Sequence, residues 1–157
     1  MKNLILLLLC FIALLFNSCK KDADLETYLT YKVDGVAKTT NRLFAELING
    51  SSNSQIIGVK DAEQVTLKIA GAKTGTYQLP DNASINKFGY AADLTGDGFY
   101  GAITGSVTIT VVTKTYISGT FQFTGKSINT GLIKTITEGR FTCKFNNALL
   151  PATKTEL

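Results

Sequence analysis

One run of oxygen-bearing side chains has the spacing of a cation-binding loop. Asp93, Thr95 and Asp97 occupy alternate positions, and Gly98 follows them directly. In calcium loops, oxygens at alternate positions converge on the hard cation, and a bidentate glutamate at the twelfth position completes the coordination. Thr104 stands at that position here. An Asp-Gly pair between alternating apolar runs is also typical of a type I′ hairpin turn. We therefore predict a plain turn and no metal, with calcium as the alternative.

Side chains that could do catalysis are few. The chain has no histidine, which excludes Ser-His-Asp and Cys-His nucleophilic catalysis and every histidine-liganded metal site. A carboxylate pair of the kind that hydrolyses glycosides is the remaining option, and its candidates are Asp81, Asp93, Asp97 and Glu138. All four lie in or near predicted turns, where acids usually make local hydrogen bonds. We therefore predict no enzymatic activity and no cofactor.

The N-terminus has the pattern of a secretory leader that ends in a cysteine. A positive start precedes an apolar run over residues 4–16, which is followed by Asn17, Ser18 and Cys19. As a helix this run spans about 20 Å, against roughly 30 Å of hydrocarbon, so a mature transmembrane span is not expected. Residues 15–19 resemble a bacterial lipobox. That resemblance implies cleavage between Ser18 and Cys19 and acylation of Cys19, which makes the lipid bilayer a partner of the mature chain.

A short charged stretch follows the cysteine. Lys20, Lys21 and Asp22 resemble the sorting signal of Bacteroidota lipoproteins that are exported to the cell surface. The resemblance implies an outer-membrane location, and the sequence leaves open whether the domain faces the cell surface or the periplasm. We predict four segments: a leader at 1–18, a lipidated tether at 19–27, a β domain at 28–147 and a flexible tail at 148–157.

Cysteine and charge counts place few constraints on partners. Cys10 leaves with the leader and Cys19 is acylated, so Cys143 is the one thiol left and no intramolecular disulfide is expected. Cys143 shares parity with Phe141 and Phe145, which predicts a small buried core residue. Loss of Lys2 with the leader lowers the side-chain balance from +4 to +3. This modest charge is spread along the chain and predicts no nucleic-acid partner.

Most of the chain after residue 27 alternates between apolar and polar side chains. Valine and isoleucine alternate with threonine in the run 107–111, and the runs 65–70 and 141–145 follow the same rule. A period of two in such segments predicts half-buried antiparallel strands. About nine strands are expected: 28–33, 36–40, 54–60, 65–70, 75–79, 87–93, 99–112, 116–124 and 132–145.

The fold class follows from this pattern. No segment is long enough for the helix of a βαβ crossover, which excludes a parallel sheet. Residues 42–49 are ambiguous, because Leu43, Phe44 and Leu47 also fit one face of a short helix. The prediction is an all-β antiparallel fold, either a β-sandwich or a β-barrel.

Tyrosines provide a hypothesis for binding. Tyrosine combines a large apolar ring with a polar tip and is favoured at recognition surfaces, although it is also common in strands. Tyr116 has the parity of a polar sheet face and is predicted to be exposed. A protein or glycan partner is therefore possible. The six tyrosines are Tyr28, Tyr31, Tyr77, Tyr90, Tyr100 and Tyr116.

Five short motifs occur in an order that resembles a known group of proteins. They are Ser18–Asp22, Lys32–Gly35, Gly75–Tyr77, Gly119–Phe123 and Thr137–Phe141. Together they resemble the small Bacteroidota lipoproteins that carry an uncharacterised all-β domain. The resemblance implies an exported, lipid-anchored domain of unknown role, and it supplies no reaction and no catalytic residues.

Three functional hypotheses follow. The leading one is a monomeric, membrane-anchored envelope lipoprotein whose domain is a non-catalytic binding or structural module. The second is a β-barrel carrier of a small apolar ligand, with Phe121, Phe123 and Phe141 lining its interior. The third is a carboxylate-based hydrolase.

Overall fold

Ten β-strands make up almost all of the described chain. The computed structural model describes residues 25–48, 53–81, 85–93 and 96–146. The predicted leader, most of the tether and the predicted tail lie outside these residues. The all-β antiparallel fold class is confirmed. The strands are β1 (Tyr28–Val33), β2 (Val36–Thr39), β3 (Arg42–Ile48), β4 (Asn53–Lys60), β5 (Glu63–Ala70), β6 (Gly75–Leu79), β7 (Lys87–Ala91), β8 (Phe99–Val112), β9 (Tyr116–Ser127) and β10 (Ile133–Lys144).

The ambiguous segment at 42–49 contains a strand, and the helical alternative is wrong. β3 pairs with β4 along its whole length, from Arg42 opposite Val59 to Ile48 opposite Asn53. A helix this short is marginal by itself, because few hydrogen bonds offset the cost of its first turn. Pairing with a neighbouring strand therefore outweighs the helical spacing of its apolar residues.

All ten strands belong to one antiparallel sheet that curls into a half-barrel, rather than to a sandwich of two sheets. Its order is β2-β1-β10-β9-β8-β7-β5-β4-β3, and β6 pairs with β8. The edge strands β2 and β3 are consecutive and are joined through Thr40 and Asn41. The Thr40 amide donates to the Leu29 carbonyl at 3.1 Å, and the Asn41 amide donates to the Val59 carbonyl at 3.0 Å. This link therefore ties β1 to β4 where the sheet edges approach each other.

Aromatic side chains fill the inside of the curl. The ring centroids of Phe121 and Phe123 are 6.4 Å apart, and those of Phe121 and Phe141 are 6.2 Å apart. All three rings are almost completely buried. Buried apolar area contributes about 25 cal/mol per Å², so these rings are a main source of stability. Gly58 lets β4 approach β1, since a Cβ there would lie 3.0 Å from a methyl carbon of Leu29.

The two Asp-Gly pairs fold differently. Asp34 and Gly35 have φ values of 48° and 83°, as a type I′ turn requires. Asp97 and Gly98 have no positive φ and lie instead in a short 3-10 turn, Gly96–Gly98. The predicted tight turn at Asp97 is therefore wrong. The connection from β7 to β8 is longer than two residues, and the Ala92 amide closes it by donating to the Gly98 carbonyl at 2.8 Å.

The strand register defines two ends of the half-barrel. β1 enters the sheet at Tyr28, opposite Thr142 of β10, and we call this the N-terminal end. β10 begins at Ile133, about 30 Å further along the strand at the usual rise per residue. We call that side the distal end. It carries the turn at 34–35 and the loops at 92–98 and 128–132.

Candidate ligand groove

A groove separates the β1–β2 hairpin from the turn between β4 and β5. Its volume is about 770 Å³, which falls within the roughly 300–1,000 Å³ typical of small-molecule sites. We call it the Tyr31 groove. One phenol and six charged side chains line it: Tyr31, Lys32, Lys38, Lys60, Asp61, Glu63 and Glu138.

Tyr31 presents a hydroxyl that no described residue uses. The side chain points into the curl from β1 and is only 3% exposed. No described residue forms a hydrogen bond with its hydroxyl, and no sealed side-chain oxygen or nitrogen in the described chain lacks a partner. The hydroxyl is therefore open to solvent where Tyr31 lines the groove. A ligand in the groove can take up this hydrogen bond.

Glu63 is the acceptor at the inner wall of the groove. Its Oε1 accepts from Lys38 Nζ at 2.5 Å and from the Tyr90 hydroxyl at 3.3 Å. Lys38 is the cross-strand neighbour of Tyr31, so both side chains project to the same face of the hairpin. Glu63 begins β5 immediately after the turn at Asp61. The curl of the sheet is what brings the β1–β2 hairpin to this turn.

Burial and the Glu63 carboxylate keep both phenols protonated. Burial, and to a smaller extent the nearby charge of Glu63, raises the pKa of Tyr31 to about 12. The pKa of Tyr90 is raised too, first by burial and then by Glu63. Tyr31 contacts Tyr90 edge-on, with ring centroids 6.2 Å apart. At neutral pH, Tyr31 therefore offers the groove a neutral O–H group.

A second ion pair forms the outer wall. Lys32 Nζ lies 2.7 Å from Oε1 of Glu138. Glu138 has a φ of 51° and lies where the register of β10 shifts between Ile136 and Gly139. Such a bulge turns a side chain out of the regular alternation. Three lysines and three acids thus line the groove, and their formal charges cancel.

The comparisons with known proteins assign the chain to a family. A family model described as "Domain of unknown function (DUF6252)" matches residues 28–143, which is well over half of the chain. The chain belongs to the DUF6252 family. A search of curated proteins and a search of solved structures each found no significant match.

The cation-loop residues of this DUF6252 domain make local contacts. Asp97 Oδ1 accepts a hydrogen bond from Asn129 Nδ2 at 3.1 Å. The Asp93 carboxylate packs so closely on Gly98 that a Cβ there would overlap it. Thr95 lies outside the described residues. The described chain holds no group of three or more acidic, cysteine or histidine side chains placed to bind a metal. The calcium alternative stays a prediction.

The remaining carboxylate candidates lie in separate places. Asp81 accepts from the amides of Ile85 and Asn86 at 3.1 and 2.9 Å, and so orders the loop before β7. Glu138 pairs with Lys32 at the groove. Asp81 and Glu138 thus each have a local partner, whereas the Asp93 carboxylate lies against Gly98, beside Asp97.

Other predicted residues fall into the core or outside the described chain. Cys143 is fully buried, as its parity with the phenylalanines predicted. Tyr116 is also buried, which contradicts its predicted exposure, because Lys144 lies over its ring at 5.9 Å. No described helix is long and apolar enough to cross a membrane. The described chain does not reach five further site residues: Ser18, Cys19, Lys20, Lys21 and Asp22.

No sequence motif predicts the groove. Its central pair, Lys38 and Glu63, is 25 residues apart, and no motif links them. The inward parity of Tyr31 in a predicted strand was visible, but it predicted a core residue. A search for inward-facing charged residues beside turns would have found Lys38 and Glu63.

Proposed function

We propose that this protein is a lipid-anchored component of a bacterial outer membrane, acylated at Cys19, whose DUF6252 domain is a non-catalytic binding module. Its ligand is a neutral glycan held in the Tyr31 groove. The anchor is supported by the lipobox-like residues 15–19 and the charged stretch that follows. The binding role is supported by one observation above all, the solvent-open hydroxyl of an otherwise buried tyrosine in a charge-balanced groove.

The chemistry of the groove favours a polyhydroxylated ligand. Each sugar hydroxyl both donates and accepts hydrogen bonds, so it needs acceptors and donors side by side. Glu63 and Glu138 supply acceptors, and Lys38 and Tyr31 supply donors. Because the formal charges of the lining cancel, no ionic ligand is favoured by its charge. A ligand that lacks matching hydroxyls would leave these buried polar groups without hydrogen bonds. The free-energy cost of leaving them unpaired therefore gives the site its specificity.

The carrier alternative receives less support. It needs an unfilled interior lined by Phe121, Phe123 and Phe141, and these rings contact each other in a packed core. Each ring is at most 3% exposed. A bound apolar molecule would have to displace them.

The glycan proposal is tested with the full acylated protein in a sugar-free zwitterionic detergent. A panel of short neutral oligosaccharides built from glucose, mannose, galactose and N-acetylglucosamine is titrated by calorimetry, with uronic-acid oligosaccharides of matched length as the charged comparison. We expect at least one neutral member to bind, and Tyr31→Phe to weaken that binding about tenfold, as for loss of one hydrogen bond to a buried polar group.

Tyr77→Phe is the matched control, since its hydroxyl bonds to the Lys73 carbonyl and Tyr77 does not line the groove. It should bind as the wild type does. Binding by no neutral oligosaccharide, or equal affinity for wild type and Tyr31→Phe, would refute the proposed ligand site.

The anchor is tested separately. Cells expressing the wild type or Cys19→Ala are labelled with an alkyne analogue of palmitate, and label in the wild type alone is expected. Protease shaving of intact cells then distinguishes the orientations. Digestion of the wild-type domain indicates the cell surface, and protection until the outer membrane is opened indicates the periplasm. Equal labelling of both chains would rule out acylation at Cys19.

A further inference from the structure

The distal end carries a cluster of exposed apolar side chains that the groove does not use. We call it the distal apolar surface. Monomeric proteins expose single apolar residues freely, but a contiguous group marks an interaction site. Three of its members, Phe99, Ile103 and Ile128, line a groove of about 560 Å³. Its members and their exposed fractions are Ile128 (90%), Leu132 (60%), Ile133 (57%), Phe99 (49%) and Ile103 (49%).

The fold holds these side chains in place. The Phe99 ring lies over Gly89, where a Cβ would meet it at 3.1 Å, so two strands provide its platform. Ile103 is the extra residue in a register shift of β8 between Ala102 and Thr104. Because the backbone sets both positions before any partner arrives, little ordering cost remains for binding.

The loop that carries Ile128 is also fixed. The Gly131 amide donates to the Ser127 carbonyl, and the Ser127 amide donates to the Leu132 carbonyl, each at 2.9 Å. Asn129 reaches across to Asp97 of the neighbouring loop at 3.1 Å. These three hydrogen bonds therefore hold an almost fully exposed isoleucine out from the sheet.

Three lysines lie at the rim of the surface, and the Asp97 carboxylate lies beside the loop that carries Ile128. Lys126 lines the groove with Ile128, and Lys68 and Lys87 flank the other side of Phe99. The three ion pairs of the described chain involve Lys32, Lys38 and Lys134 instead. Among the described residues, no carboxylate forms an ion pair with these three lysines, and a partner that supplies carboxylates would complement them.

The shape of the surface distinguishes a protein from a bilayer. A concave groove walled by Phe99 and Ile128 accepts a protruding row of side chains, as protein interfaces do at their cores. The position agrees with this reading. The chain enters the sheet at Tyr28, about 30 Å away along β10, and the nine residue steps from Cys19 to Tyr28 reach at most about 30 Å. A domain anchored at Cys19 therefore places its distal end against its own membrane only with this stretch fully extended along the domain.

We propose that the distal apolar surface docks a second, different protein through a segment that presents an apolar ridge flanked by Asp or Glu side chains. The proposal does not depend on the Tyr31 groove or its ligand. It requires only the exposed apolar side chains and the lysines around them.

The test places a photo-crosslinking amino acid at Ile128 in the full-length protein expressed in its own cells. Ile128 is almost fully exposed, so replacing it leaves the core intact. We expect a discrete adduct with one protein, whose crosslinked peptide, mapped by mass spectrometry, contains apolar residues together with Asp or Glu. Combining the crosslinker with Lys126→Glu and Lys87→Glu should reduce the adduct several-fold.

The matched control carries the crosslinker at Val111, an exposed aliphatic residue of β8 near the N-terminal end, and should give no such adduct. An adduct with lipid alone would assign the surface to the membrane, and an adduct with the same chain would assign it to a homodimer. Each of these two results would overturn the proposal. The absence of any adduct would also overturn it, as would an adduct that both charge reversals leave unchanged.

Discussion

At the scale of single residues, Glu63 organises the Tyr31 groove. It accepts hydrogen bonds from Lys38 and Tyr90, and its charge contributes to the raised pKa of Tyr31. The Glu63 carboxylate thus holds one ammonium group and the Tyr90 phenol by hydrogen bonds, and it acts on Tyr31 through its charge alone. Substitutions at Glu63 should therefore be visible in the titration of its neighbours.

We predict that Glu63→Gln lowers the pKa of Tyr31 while leaving it above the ordinary value of 10.0. Removing the negative charge makes the phenolate less unfavourable, but burial, the larger cause, remains. The measurement is an NMR titration of protein labelled at the tyrosine Cζ carbons. Glu138→Gln is the control, because Glu138 does not perturb Tyr31. An unchanged Tyr31 titration in Glu63→Gln would contradict the proposed coupling.

Cys143 gives a second prediction at this scale. Burial raises its pKa, and the thiolate is the reactive form of cysteine. In the chain with Cys10→Ser and Cys19→Ser, Cys143 is the only thiol, and it should not react with a disulfide reagent in the folded state. Denaturant should expose one equivalent of thiol. Rapid labelling of the native protein would mean that β10 opens or that Cys143 is accessible.

At the scale of elements, turns and bulges determine the local geometry. Asp34 joins two elements, because it sits in the β1–β2 turn and accepts from Lys134 Nζ at 2.7 Å and the Thr135 amide at 2.9 Å. These two bonds lower the pKa of the Asp34 carboxyl, that of Lys134 contributing most. The hairpin is thereby attached to the start of β10.

A group whose pKa is lowered on folding stabilises the fold above its unfolded pKa, and the contribution disappears as the pH falls through the folded value. In Asp34→Asn, the free energy of unfolding should therefore fall less steeply below about pH 4, because no carboxylate is left to protonate. Asparagine still tolerates the positive φ at this position, so the turn is kept. At pH 7 the cost should be about 0.2–1 kcal/mol, as for a solvent-exposed ion pair. Urea unfolding at several pH values measures it. An equally steep loss of stability at acid pH in the wild type and in Asp34→Asn would refute this role.

Glycines on β8 give a matched pair of predictions. Gly105 has a φ of +146°, and a Cβ there would lie 2.5 Å from the Gln122 carbonyl oxygen, whereas at Gly101 the nearest atom would be a Phe99 carbon at 3.7 Å. Gly105→Ala should therefore cost about 1–3 kcal/mol, as overpacking does, and Gly101→Ala should cost much less. Thermal unfolding of both variants tests this, and equal losses would contradict the steric argument.

Much at this scale could be predicted from the sequence. Period-two alternation identified most strands because one face of the sheet meets the core and the other meets water. β3 was harder, because its apolar residues satisfy a helical period and only pairing with β4 decides the outcome. The prediction of a tight turn at Asp97-Gly98 was wrong, because these two residues alone do not indicate how long the connection between β7 and β8 is.

At the scale of the whole molecule, the curl of the single sheet creates the Tyr31 groove and the distal apolar surface, which the sequence could not predict. Lys38 and Glu63 meet because the edge strand β2 is folded round to the β4–β5 turn. The distal apolar surface likewise combines β8, the loop between β9 and β10, and the first residue of β10. Strand prediction treats each segment alone, so neither site was visible until the register was known.

The single core predicts how the domain unfolds. Its buried side chains form one hydrophobic cluster that extends across the sheet from β1 to the edge strand β3, so no part can keep its packing after the rest is lost. We expect one cooperative transition in denaturant, with circular dichroism and tyrosine fluorescence giving the same midpoint. Tyrosine is the natural probe, since the chain has no tryptophan. Separate midpoints would reveal two independent folding units.

The position of β1 also has a mechanical consequence. β1 lies between β2 and β10, and its hydrogen bonds to both neighbours run across the strand direction. A force applied between Tyr28 and the distal end acts along the strands, so these bonds bear the load in shear and together rather than one after another. A module held at its base and pulled at its tip is therefore loaded along its most resistant direction. The same domain pulled sideways would unzip strand by strand at a much lower force.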